Sequence, residues 1–424
     1  MKQVVFPYGK EKIKYSFPDE VTVLESAIHD YDTNQTEREL VENAMKNPIG
    51  SKPLGELAKG KDNVVIIASD HTRPVPSKQI IPLMLKEIRQ ANPLASITIL
   101  IATGCHRGTT KEELISKFGE EIVKKEKIYI HDCDDTQMQV NIGTLPSGGS
   151  CKINKLASEA DLLIAEGFIE PHLFAGFSGG RKSVLPGISG RETVMANHCA
   201  EFIAHPNART GILENNPVHK DMLWAAKTAK LQYIVNVVLN EEKKIIYAVA
   251  GDLEEAHRAG TEFLSKLCSV NAVSADIAIT TNGGYPLDQN VYQAVKGMTA
   301  AEATVKKDGV VIMLAKSGDG TGGDFFYRQL AEEPDVQKAM NAYLRQKRHE
   351  TLPDQWQAQI LLRILLKASV VYVSDLPDDV VEKLHMIPAH SLEEALEKAQ
   401  SLVNLQNPKI VAIPDGISVI VKAQ

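Results

Sequence analysis

Two histidines, His106 and His172, each stand just past a short apolar run, and an Arg–Lys pair closes the glycine-rich segment GFSGGRKS at 176–183. These residue types suit proton transfer and covalent attachment. An imidazole titrates near neutrality, so it can give or take a proton at cellular pH. Either ring alone could be a hydrogen-bonded structural histidine, but two at one sheet edge point to a site. A lysine beside a second cation loses basicity and gains nucleophilicity, so Lys182 next to Arg181 suits a Schiff base or another covalent link. The alternative is a solvated lysine, the usual fate of the residue type.

GFSGGRKS is not a phosphate loop. That motif puts four residues between its first glycine and Gly-Lys-Ser/Thr and starts a helix at the lysine. Here Arg181 follows Gly180 directly, and VLPGISG, with Pro186 and Gly187, follows Ser183. Gly176, Gly179 and Gly180 can still bring backbone N–H groups close to an anion, or they form a surface turn. In DHTRPVPSK, Asp70, His71, Thr72 and Arg73 follow another apolar run. Pro74 and Pro76 stiffen the chain behind Arg73, whose planar fork matches a carboxylate. Gln293 and Lys296 share a helix face at i, i+3 and could grip a small acid together. Trp356, in PDQWQAQILL, reads as a hydrophobic staple or as the wall of a small apolar pocket. His198, in the helical VMANHCAEF, is a metal ligand or a helix-surface residue. No HxH, HExxH or second ligand at helical spacing accompanies it, so a metal site built wholly from protein has no support. HDCDD (131–135) could chelate a cation, but reads first as a polar turn at a strand end.

The elements that position these residues repeat along the chain. Apolar runs at 64–70, 97–104, 127–132, 161–167, 234–240, 275–284, 309–320, 370–375 and 410–416 end in Gly, Asp or Pro. Helical patterns at 111–123, 291–304 and 391–403 lie between some of them. Such alternation predicts an α/β fold with mainly parallel sheets flanked by helices. Ligands then sit beyond the carboxyl ends of the strands, where Asp70–Arg73, Gly104–Arg107 and Gly167–His172 fall. The opening VVFPYGKEKIKYSF predicts a hairpin. A chain of 424 residues exceeds one ordinary core, so two domains are expected, with the active site in the cleft between them. The expected division is 1–268, to which 408–424 could return, and 269–407.

The formal net charge of -7 argues against nucleic acid as a partner. MKQVVFPYGK lacks the apolar core of a signal peptide, and no run approaches the length of a membrane span. The five cysteines are odd in number, widely spaced and without a CxxC pair. This argues against a disulfide framework and fits the cytoplasm.

Ten blocks carry a resemblance across the whole chain: ASDHTRPVPS, IATGCHR, LPSGG, EADLLIAEGFIEPH, FAGFSGGRKSVLPG, MANH, ARTG, NGGYPLDQNVYQAVKGMTAAEA, PDQWQAQI and IPDG. Together, and in this order, they resemble the nickel-pincer-nucleotide lactate racemases, a family that also includes racemases and epimerases of other 2-hydroxy acids. The resemblance implies a pyridinium mononucleotide with thioamide and thiocarboxylate groups, linked through Lys182 and carried by the first domain. Its nickel would take one carbon and two sulfurs from the nucleotide and His198 as the fourth ligand. Soft sulfur donors with imidazole suit nickel(II). Cofactor-synthesis enzymes are implied as partners. His106 and His172 match the family's acid/base pair, one for each face of the substrate. Arg73, Tyr292, Gln293 and Lys296 match its substrate contacts, with Trp356 lining the pocket. Asp70, His71, Thr72 and Arg73, with Gly176, Gly179 and Gly180, would hold the nucleotide. The implied reaction interconverts L- and D-lactate through pyruvate by hydride transfer. Cys105, a small thiol beside His106, bears on pocket volume and so on which 2-hydroxy acid is preferred.

Overall fold

The computed structural model describes residues 1–422 and holds two six-stranded sheets flanked by helices. In the first, the strands run in the order Ile245–Gly251, Leu231–Leu239, Leu162–Phe168, Asn63–Ser69, Ser96–Ala102 and Lys127–Ile130. All neighbours are parallel except the antiparallel edge strand Ile245–Gly251. The central strands Asn63–Ser69 and Leu162–Phe168 are buried almost end to end. This is why they read as unbroken apolar runs rather than alternating ones.

The second sheet runs Ile387–Ala389, Ser369–Val373, Val305–Leu314, Ala275–Thr281, Ile410–Ile413 and Thr22–Val23, all parallel. Two features differ from the sequence expectation. The segment 408–424 does not return to the first sheet within its described residues. Ile410–Ile413 lies inside the second sheet, and Ile420–Lys422 pairs with Ser269–Asn271. Conversely, the chain start joins the second sheet. The hairpin Lys2–Tyr8 with Glu11–Phe17 buries Val4, Phe6 and Phe17 against Ile277, Ile279 and Val310. The reason is apolar coverage: IVAI is a run that only a sheet interior can bury, and its outer edge needs Thr22–Val23.

The helical pattern at 111–123 is two helices, Lys111–Phe118 and Glu120–Lys125, divided at Gly119 with φ +88°. The helix Val291–Thr304 begins where the Asn290 side chain accepts the Gln293 N–H, a cap worth about 1 kcal/mol. Among the described residues no helix is long and apolar enough to cross a membrane.

Candidate active site

A cleft of about 620 Å³ opens at the carboxyl ends of the first sheet's strands and is closed by two helices of the second half of the chain. Its volume lies within the ~300–1,000 Å³ usual for small-molecule and cofactor sites. The strand Asn63–Ser69 delivers Asp70 and Arg73, Ser96–Ala102 delivers His106, and Leu162–Phe168 delivers His172. The helix Val291–Thr304 turns Tyr292, Gln293 and Lys296 into the cleft, and Gln355–Leu365 contributes Trp356.

His106 is paired. Its Nδ1 lies 2.7 Å from Asp70 Oδ2, and Asp70 is almost wholly buried. Burial alone would raise the Asp70 carboxyl. The His106 contact, the Thr72 hydroxyl at 2.7 Å and the Arg73 charge outweigh it and hold the carboxyl at about 2. A permanent carboxylate on Nδ1 orients the ring and leaves Nε2 as the nitrogen free to exchange a proton.

Around Lys182 the chemistry is that of neutral bases. Burial, then the charges of Arg181 and Arg73, push its amine well below the usual lysine range. Its Nζ lies 3.1 Å from His172 Nε2. His172 Nδ1 accepts the Ala175 N–H at 3.2 Å, so the ring's proton sits on Nε2 and the amine offers its lone pair. Burial, then Lys182 and Lys296, keep this imidazole uncharged. Arg181, with 1% exposure, is fixed behind the loop, donating to the Ala175, Ser178 and Gly179 carbonyls and to His219 Nδ1.

His198 caps the helix Arg191–Asn197 rather than lying within it. Its Nδ1 donates to the Val194 carbonyl at 3.0 Å, so Nε2 carries a free lone pair. Burial, then Lys182, lower its pKa to about 3. The ring sits edge-on to Phe174 and Trp356, with centroids 5.1 and 4.9 Å away, and Trp356 Nε1 donates to Tyr292 Oη at 3.1 Å. Phe174 and Trp356 both line the cleft as apolar walls. Lys296 is lowered to about 8 by burial and then by Arg73, against the opposing pull of Glu170.

Three expected residues are not on the cleft wall. His71 turns away, with Nδ1 3.1 Å from Thr109 Oγ1. Thr72 lies behind Asp70 and bridges it to Arg73. Gly176 packs against residue 212, where a Cβ would lie 2.4 Å from the Ile212 carbonyl oxygen. Gly179 and Gly180 do line the cleft, but the Gly180 N–H is taken by Asn236 Oδ1 at 2.8 Å. Glu166 and Asp354 line the cleft too and drew no notice in the sequence. Glu166 Oε1 accepts from Ser69 and Ser77 while Oε2 has no protein partner. Glu166's place at a strand end was a usable signal; Asp354 gave none beyond preceding the Trp356 helix.

Two protein-family models match the chain, the lactate racemase N-terminal domain over residues 8–211 and the lactate racemase C-terminal domain over residues 270–421. A lactate racemase of Thermoanaerobacterium thermosaccharolyticum is 55% identical over the full length of both chains. The chain belongs to the lactate racemase family. A second relative of that name, from Lactiplantibacillus plantarum, is 54% identical, also over the whole of both chains. The structure of the lactate racemase apoprotein from T. thermosaccharolyticum superposes with a TM-score of 0.96 at 54% identity, covering 99% of this chain and 100% of that one. A Thermotoga maritima protein shares the fold alone, with a TM-score of 0.66 at 18% identity over 92% of this chain and 98% of that one.

The donor set of the cleft fits the pincer nucleotide. One imidazole nitrogen, His198 Nε2, is buried with a free lone pair, and a neutral lysine amine opens on the same cleft. Among the described residues, no group of three His, Cys, Asp or Glu ligands forms wholly from cleft-lining residues. A metal there would therefore draw most of its donors from a bound group.

Proposed function

We propose that this protein interconverts L- and D-lactate, using a nickel-pincer nucleotide linked through Lys182 with His198 as the protein's nickel ligand. The observation that carries the reading is the convergence, in one cleft of a racemase-family chain, of the three imidazoles of His106, His172 and His198, the Arg73 and Lys296 cations and a lysine whose pKa is pushed well down. The α-hydrogen beside a carboxylate is too weakly acidic for direct removal, and lactate has no amine for imine chemistry. The bound nucleotide supplies a hydride acceptor for that hydrogen.

The chain's own residues do the rest. Arg73 and Lys296 hold the substrate carboxylate as charge-assisted partners. His106, with Asp70 fixing Nδ1, takes or returns the hydroxyl proton at Nε2. His172 does the same from its own Nε2 in the tautomer that carries the ring proton on Nδ1, which requires the Ala175 N–H contact accepted there to be given up. In the present structure that nitrogen faces the Lys182 amine; linking the amine to the cofactor removes this acceptor and releases the ring for substrate. Planar pyruvate held only by its carboxylate can turn over between the two proton transfers, and this inverts the configuration. Each histidine contributes roughly 10²–10⁴-fold. Phe174 and Trp356 leave room for a small apolar substituent such as the methyl of lactate.

The test has two parts. Protein co-expressed with cofactor-synthesis enzymes should convert either pure lactate enantiomer to the racemate by chiral chromatography, ahead of 2-hydroxy acids with larger substituents. Peptide mapping should place the added mass on Lys182. Full activity with Lys182 unmodified would defeat the cofactor assignment, and preference for a larger acid would defeat lactate as substrate.

A further inference from the structure

The cleft carries one thiol, Cys105, and that thiol has a neighbour. The strands Ser96–Ala102 and Lys127–Ile130 pair in parallel, with Ile101 opposite Ile130. Their association continues past the strand ends. The His131 N–H donates to the Ile101 carbonyl at 3.1 Å, and the Thr103 hydroxyl donates to the His131 carbonyl at 2.6 Å. Cys105 and Cys133 each stand two residues beyond that tie, and their thiols lie close enough to shift each other's acidity. Cys105 is half-buried and faces the cleft, while Cys133 lies just beneath with 5% exposure.

A cation attends the pair. The Arg191 N–H donates to the Cys133 carbonyl at 3.0 Å, and the Arg191 guanidinium is held by Asp134 at 2.7 Å through two nitrogens. The other three cysteines, Cys151, Cys199 and Cys268, sit in the main core, and burial raises each of their thiols. Cys133 is pulled the other way, first by the Cys105 S–H and then, against burial, by Arg191. Since the thiolate is the reactive form, only this pair combines a thiol of lowered pKa, a second thiol beside it and an opening to the cleft.

We propose that Cys105 and Cys133 are a redox-active dithiol, a modification site at which hydrogen peroxide entering the cleft closes a reversible disulfide between two strand ends. The Cys133 thiolate attacks one peroxide oxygen, breaking the O–O bond and forming a sulfenic acid. The departing hydroxide takes the Cys105 proton and leaves as water. The Cys105 thiolate then attacks the Cys133 sulfur, breaking its S–O bond, and that hydroxide leaves as a second water with the proton first released by Cys133. Two thiols are oxidised by two electrons, and one peroxide is reduced to two waters. A dithiol reductant reverses the bond, as expected of a transient bridge under reducing conditions. Cys105 directly precedes His106, whose N–H bonds the Thr103 carbonyl at 3.0 Å, so the bridge would clamp the turn that carries this imidazole.

The test uses the full-length cofactor-free protein, reduced, treated with hydrogen peroxide, alkylated and digested with trypsin. Cys105 falls on peptide 90–107, whereas Cys133 shares peptide 128–152 with Cys151, so a Cys151→Ser background is run in parallel. The expected product is the two peptides joined at two hydrogens below their summed mass, in both backgrounds, and separated by dithiothreitol. Cys133→Ser should abolish the link. Loss of the link in the Cys151→Ser background, or Cys105 oxidised singly with Cys133 still alkylated, overturns the proposal. In cofactor-loaded enzyme, peroxide should remove a share of activity that dithiothreitol restores in the wild type but not in Cys133→Ser; equal restoration in both overturns it as well.

Discussion

Lys296 offers the sharpest test of how the carboxylate is held. Burial and the neighbouring Arg73 lower its ammonium to about 8, so the free enzyme loses this cation just above physiological pH. The sign is fixed: the carboxylate needs the charged form, which predominates below pH 8 and vanishes above it. The pH dependence of kcat/KM reports groups of the free enzyme. It should therefore be flat to about pH 7.5 and then fall, with about one-tenth of the plateau left at pH 9 and about one-hundredth at pH 10, following the protonated fraction. Lys296→Arg keeps its charge through this range and should remove that basic limb, though with a lower plateau because the guanidinium fork sits differently. Lys296→Met should lower the whole profile by about 2–5 kcal/mol, the loss expected when one partner of a desolvated charge pair is deleted. The assay is initial-rate racemisation of each lactate enantiomer from pH 6 to 10. A wild-type profile without a break above pH 7.5, or the same break in Lys296→Arg, would refute the reasoning.

Other outcomes follow from the same geometry. His198→Ala should retain the nucleotide on Lys182 but lose nickel, read by metal analysis beside intact mass; full nickel retention removes His198 from the ligand set. Asp70→Asn takes the negative charge from His106 Nδ1 while preserving the shape of a buried side chain, so kcat should fall by about 10²–10⁴ with unchanged melting temperature. Near-wild-type turnover would reduce Asp70 to a structural role. His219 is held neutral, at about 3, by burial and then by Arg181. Its folded pKa lies below the unfolded value of ~6.5, so the unfolded chain binds the proton more readily. Its stabilising contribution is therefore complete above pH 6.5 and is lost as pH falls towards 3, by about 1.4 kcal/mol at pH 5.5. Denaturant titration of the cofactor-free protein should show this, and His219→Gln should be less acid-sensitive.

The parts of the fold visible in the sequence are those governed by local burial. Each apolar run of the first sheet became a strand, and the residues just past the runs became the cleft, because a parallel sheet covered on both faces leaves only its ends open. Direction within a turn was not visible. DHTR offers four consecutive polar residues, yet the Arg73 N–H returns to the Asp70 carbonyl at 3.3 Å. That tight turn sends Asp70 and Arg73 to the cleft and His71 to Thr109. The glycines of GFSGGRKS read as an anion nest, but tertiary crowding also demands them. A Cβ at Gly179 would lie 2.9 Å from the Phe168 carbonyl oxygen, and one at Gly180 would lie 2.8 Å from His257 Cδ2. The strand at 410–413 was recognisable as a strand but not as a member of a particular sheet, since sheet membership depends on partners far away in the sequence.

The same distinction explains the sign of the cleft. The chain as a whole is acidic, at -7, a figure that on its own says nothing about an anionic ligand. The cleft nevertheless gathers Arg73, Arg191 and Lys296 along its walls, with Arg181 buried behind them. Its carboxylates, Asp70, Glu166 and Asp354, are one fewer than these cations with Arg181 included, and Asp70 and one oxygen of Glu166 are already engaged by protein donors. The resulting local excess of cations does two jobs. It draws a small monoanion to the strand ends, where low-dielectric walls focus the field. It also adds to burial, the larger cause, in lowering the Lys182 and His172 pKa values, because adding another positive charge there is costly. Anion capture and the lowered pKa of Lys182 thus draw on the same charges, the second with burial as its larger cause. Removing Arg73 should weaken both, lowering substrate affinity and slowing the labelling of cofactor-free Lys182 by an amine-reactive ester at neutral pH. Substrate affinity that falls while lysine reactivity stays constant would separate the two effects and show that burial alone keeps the lysine neutral.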